Sequence, residues 1–141
     1  MVNADQQRFI DLLVDHMGKH NMRPRTVGIS DFGNADPLTA VCSLMGECSG
    51  AVVLGLRQTS VGQAIEKDGT KARRERGDYF LPTAWNHIEA SVAYAMNLPI
   101  LFLKEDGVEG GVFDLGTTKY FIRCLILHRS GLSPTNLDSP S

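Results

Sequence analysis

Long apolar runs are what this chain most clearly lacks. No stretch approaches the roughly eighteen consecutive apolar residues that a membrane-crossing helix needs, so no membrane partner is expected. The N-terminus shows no basic, then apolar, then small-residue order, so no secretion signal is expected and the predicted location is cytoplasmic. Cysteine is scarce. Cys42, Cys48 and Cys124 are odd in number and have no CxxC spacing, which predicts reduced thiols packed as small hydrophobes. His16, His20, His87 and His128 match no HExxH pattern, so neither a metal centre nor a resident cofactor is expected. Excess positive charge is missing too. A formal net charge of −2 leaves no electrostatic case for nucleic acid as the main partner.

What is present suffices for one domain. The chain has 141 residues, 43% hydrophobic and 21% charged, which is ordinary for a globular protein and too short for two cores. The expected domain covers residues 1–128. The polar stretch 129–141, rich in Ser, Pro and Asn, reads as a frayed or disordered tail.

Along the chain, helix and strand signals alternate. Residues 4–18 place Phe9, Leu13 and Met17 on one helical face, and Asn3 with Gln6 resembles a capping box. Residues 25–30 (RTVGIS) read as a short strand. Asp36-Pro37 opens a second helix, with Leu38, Val41, Leu44 or Met45, and Cys48 as its buried side. The run 51–56 (AVVLGL) has no alternation, as for a strand covered on both faces. A third helix starts after Thr83, stops at Asn97 and Pro99, and leads into the strand 100–103 (ILFL). Residues 120–128 predict a last strand, although their apolar positions also fit a helix. This rhythm is that of an α/β layered domain with a mainly parallel sheet.

One connection breaks the rhythm. Residues 57–82 exceed a usual crossover loop. Lys67, Lys71, Arg73, Arg74 and Arg76 lie there among Asp68 and Glu75, and read as a solvated mobile loop or as a lid that attracts a phosphate-bearing ligand. The glycine-rich 107–111 (GVEGG) lacks nucleotide-binding spacing and reads as a turn.

Chemistry points to the third helix. Trp85 and Glu89 are spaced to share one face, so Glu89 is either a carboxylate on the solvated side or one partly desolvated by an indole. In open parallel sheets, ligands bind beyond the carboxyl ends of the strands. Ser30, Asp31 and Phe32 leave the first predicted strand there, Arg57, Gln58 and Thr59 the second, and Lys104, Glu105 and Asp106 the third. The start of the Trp85–Glu89 helix returns to the same rim.

The segment WNHIEASVAYAMNLPILFL, with LMGECSGAVVLGL before it, resembles the catalytic segment of Toll/interleukin-1 receptor (TIR) domains. It is also similar to nucleoside 2-deoxyribosyltransferases, in which a helical Glu precedes small residues and a strand entry. Here Ala93-Tyr94-Ala95 and Leu98-Pro99-Ile100 take those places. The resemblance spans roughly residues 36–104. It implies a flavodoxin-like three-layer sandwich and cleavage of an N-glycosidic bond in NAD, a related nucleotide or a deoxynucleoside. Glu89 would be the catalytic carboxylate, holding ribose hydroxyls, stabilising an oxocarbenium-like transition state or attacking the anomeric carbon. Asn86 or Ser30 would hydrogen-bond it, Trp85 would shield it beside the substrate, Arg57 would contact phosphate, and Gln58 and Asp31 would line the site.

Both families open with a strand that is not expected here, since a helix starts at residue 4. A missing strand would leave an unpaired sheet edge, which predicts a homo-oligomer. Three functions follow: a TIR-like N-glycosidase, a non-catalytic nucleotide-binding or self-assembling module, and a deoxyribosyltransferase-like enzyme.

Overall fold

The computed structural model describes residues 1–26 and 36–127. Among them the chain is a mixed α/β fold with three α-helices and a three-stranded parallel sheet. The first helix, α1, runs from Ala4 to Lys19. Its capping box forms as expected: the Gln6 backbone N–H donates to Asn3 Oδ1 at 2.9 Å, and Asn3 N–H donates to Gln6 Oε1 at 3.0 Å. Helix α2 (Pro37–Gly46) is capped by Asp36, which accepts from the Thr39 N–H at 2.9 Å, with Pro37 in the first turn. The strand expected over 25–30 lies mainly outside the described residues. Its first two residues, Arg25 and Thr26, are irregular, and Arg25 pairs with Glu47 at 3.0 Å.

The sheet consists of β1 (Ala51–Gly55), β6 (Ile100–Glu105) and β7 (Ile122–Leu125), in the order β1-β6-β7, all parallel. Val53 lies opposite Phe102, and Phe102 opposite Ile122. Helix α3 (Ala84–Ala95) joins the arm described below to β6 and lies on one face of the sheet. Ala90 and Ala93 are small enough to bring α3 close, and they pack with Val53, Ile100, Phe102 and Phe113. Met45 of α2 adds to this cluster. The residues of opposite parity face the other way. Leu103 and Leu125 pack there against Phe9 and Leu13 of α1, flanked by Leu54 and Met17. Helices therefore cover both faces, the arrangement a parallel sheet requires.

Two expectations change here. The apolar run at 51–56 suggested full burial, but only Val53 and Gly55 of β1 are buried, whereas Val52 is 38% exposed. Its neighbour across the ladder, Leu101, is 43% exposed, so α1 covers that face only toward the carboxyl ends of the strands. Among the described residues β1 pairs with β6 alone, leaving its outer edge as a sheet edge.

The segment 57–82 is also ordered rather than an irregular loop. It forms an arm of two nested antiparallel ladders. Strands β2 (Thr59–Val61) and β5 (Tyr79–Leu81) make the inner one, and β3 (Ala64–Glu66) and β4 (Arg74–Arg76) the outer one. Between them the backbones of Gly62 and Gly77 come so close that a Cβ on Gly77 would lie 2.2 Å from the Gly62 oxygen. Only glycine fits at that waist. The predicted last strand over 120–128 is confirmed as a strand and shortened to β7. Its connection from β6 contains no α-helix, only the 3₁₀ turn Gly111–Phe113.

Candidate functional site

The carboxyl ends of β1 and β6 meet the first turns of α1 and α3, and one buried carboxylate organises that meeting. Glu105, at the end of β6, is 3% exposed. Its Oε2 accepts from the Gln6 side-chain amide at 2.8 Å and from the Arg57 backbone N–H at 2.9 Å. Gln6 is equally buried, and its amide also donates to the Arg57 carbonyl at 3.2 Å. One glutamine thus caps its own helix through its oxygen and ties β1 to β6 through its nitrogen.

Arg57 continues the network outward. Its Nε donates to the Asp106 carbonyl at 2.6 Å, and its guanidinium lies 3.5 Å from the Asp106 carboxylate. The same guanidinium stacks 4.2 Å above the Phe80 ring of the arm. Phe80 is itself stitched to the loop after β6: its N–H donates to Gly107 O at 2.9 Å, and Glu109 N–H donates to Phe80 O at 3.0 Å. Gly107 has φ +82, and a Cβ there would press on the Phe80 ring at 3.0 Å. Arg57, expected as a phosphate contact, therefore has its charge engaged in fastening the arm. Gln58 is exposed and uses its backbone N–H on Leu81 O at 3.0 Å.

The cations of the arm are similarly occupied. Arg73 pairs with Asp68 and Glu75 at 3.2 Å each, Arg74 and Arg76 both pair with Glu66, and Arg76 also reaches Glu109. Among the described residues only Lys67 and Lys71 of that basic stretch make no ion pair. The arm is charged but largely self-neutralised.

On α3 the two faces differ. Asn86 points to the sheet: its Oδ1 accepts from the Thr83 N–H at 3.2 Å and hydroxyl at 3.0 Å, and its Nδ2 donates to Leu54 O at 3.2 Å. It anchors the helix start on the end of β1 instead of bonding Glu89. Trp85 is 42% exposed and so does not fill core. Glu89, one turn on, is half-buried, and burial raises its carboxyl pKa above the ordinary 4.5. Among the described residues it has neither a hydrogen-bond partner nor a cation. Ser30 and Asp31 lie outside the described residues. The structure thus brings Arg57, Gln58 and Asn86 together at the rim where α3 begins, with Trp85 and Glu89 sharing a flank of that helix.

The sequence reading placed Glu105 on the rim but missed its burial, and it missed the partners Gln6 and Phe80. The signal for Gln6 was its place in the capping box: a Gln there can donate where a Glu cannot. No family model, curated protein or solved structure matches the chain.

Two outcomes follow. Gln6→Glu keeps the capping oxygen but sets a second carboxylate against Glu105, and should cost about 1.5–3 kcal/mol at neutral pH, the scale of a hydrogen bond to a charged group. Denaturant titration measures it, and the loss should shrink in acid. For Glu89, whose folded pKa is raised, the native state holds its proton longer than the unfolded chain. Wild-type stability from this group is full below 4.5 and declines as pH rises through the shifted value. Glu89→Gln should therefore raise the melting temperature at pH 7, and the gain should vanish toward pH 4. An unchanged or lower melting temperature at pH 7 would contradict the desolvation of Glu89.

Proposed function

We propose that this chain is a TIR-like, flavodoxin-like protein that cleaves an N-glycosidic bond in NAD or a related nucleotide, with Glu89 as its catalytic carboxylate. The observation that carries this reading is Glu89 itself: a half-buried carboxylate beside an exposed indole, uncompensated among the described residues. Glu105 and Asp106, the other rim carboxylates among the described residues, already have donors or a cation. Breaking an N-glycosidic bond builds positive charge on the sugar ring, and an ionised carboxylate in a partly desolvated place stabilises that charge more strongly than one in bulk water. A nicotinamide ring is already cationic in NAD and departs as a neutral base, so no proton donor is needed. That suits a site whose described residues offer one free carboxylate better than the exchange of a deoxynucleoside base does. Trp85 offers a flat apolar surface next to Glu89 for the ligand.

Incubation of purified protein with NAD, with nicotinamide followed by chromatography, tests the reading. Wild type should release nicotinamide, and Glu89→Gln should lose at least about a hundredfold in rate, the scale at which a positioned acid-base or charge-stabilising group acts. Equal rates for the two proteins, or no release by either, would reject it.

A second reading, a non-catalytic self-assembling module, is favoured by the outer edge of β1, which among the described residues no strand covers. That strand (AVVLG) has no charged residue and no Pro to discourage edge pairing, and its Val52 is exposed. Self-association through this edge accords with either function. Sedimentation should show a dimer or larger species that Val52→Lys shifts toward monomer. A wild-type monomer at high concentration would remove the edge argument.

A further inference from the structure

We propose that His16 and His20, at the end of α1, form a two-ligand site for a borderline divalent transition metal ion such as Ni²⁺, Zn²⁺ or Cu²⁺. The sequence reading expected no metal centre because the four histidines form no HExxH or other ligand spacing. The helix changes this, because residues one turn apart on a regular helix project from the same side. The two imidazole rings have centroids 4.7 Å apart, tilted by 57°. His16 is half-buried and His20, the C-cap, is exposed, so an ion has access from solvent. Imidazole nitrogen is a preferred donor for these ions.

Two further features favour a cation there. The last carbonyls of a helix carry partial negative charge. The neighbouring Lys19 is drawn to Asp15 at 3.1 Å, which partly neutralises its repulsion. The frame is firm: the far end of α1 is held by the Asn3–Gln6 box and the middle by Phe9 and Leu13 in the core. Neither ring has a hydrogen bond or ion pair among the described residues that metal binding would break. Those residues offer no group of three or more ligands, so the remaining coordination positions would be filled by water. A bound ion would bridge the last turn of α1 and oppose its fraying.

The test is calorimetric titration of Ni²⁺ into the full chain carrying no affinity tag. Wild type and Cys124→Ser, which removes the exposed thiol, should each bind one ion, and Ni²⁺ should raise the melting temperature of both. His20→Ala, at an exposed position that leaves the core untouched, should weaken binding by about a hundredfold, as expected when the second of two linked contacts is lost. Circular dichroism in the absence of metal checks that the variant is folded. Ni²⁺ binding unchanged by His20→Ala, or lost in Cys124→Ser, would overturn the assignment, as would no binding by wild type.

Discussion

The rim of this protein depends on one hydrogen-bonded junction, in which the Gln6 amide and the Arg57 backbone N–H converge on the buried carboxylate of Glu105. A buried charge is tolerable only when donors replace the water it has lost. Here the donors come from the first turn of α1 and the end of β1, so solvating Glu105 locks a helix and two strands together. Arg57 carries the constraint outward, because once its backbone is held its guanidinium falls between Asp106 and the Phe80 ring. The arm and the loop after β6 are then joined by strand-like bonds around Phe80 and Gly107. A local choice of residue at one helix start thus propagates to the geometry of the whole rim.

Glu105 and Glu89 show two outcomes for a carboxylate near one sheet edge. Glu105 is the more deeply buried and accepts from two neutral donors, which makes it structural. Glu89 is less buried, yet its carboxyl is held above the ordinary range by desolvation, with no donor among the described residues to offset it. Stability alone gives no reason to leave a carboxylate in that state, because a Gln of the same shape would avoid the penalty. Locally unfavourable groups of this kind are the ones that point to chemistry.

Much of the scaffold was legible because it is written locally. The Asn3–Gln6 and Asp36–Thr39 caps, the stop at Asn97 with its φ of +57, and the apolar run into β6 are all short-range signals. The arm was not legible. Its strands are three residues long, too short to show alternation, and its register depends on two glycine backbones touching at the waist. The partial exposure of β1 was hidden too, because an apolar run states a preference for burial and not which neighbours supply it. For the candidate site, the sequence indicated the rim and the pairing of Trp85 with Glu89. It could not show that Arg57 and Asn86 are used up as fasteners, since that follows from Phe80, Asp106 and Leu54, far away in the chain.

The electrostatics of the rim follow from this division of labour. If the cations of the arm were free, they would set a positive field over the strand ends and favour an anionic ligand by long-range attraction. Instead Arg73, Arg74 and Arg76 face carboxylates on the arm or on the adjoining loop, and Arg57 faces Asp106. Pairs this close cancel beyond a few ångströms, within the screening length of physiological salt. Among the described residues near the start of α3, Glu89 is left as a carboxylate with neither a donor nor a cation. Selection at such a place depends on short-range charge rather than on steering, and it favours a group that is cationic, or becomes cationic, in contact with that helix. Under the proposed function, a pyridinium glycoside would meet this condition both before and during bond cleavage.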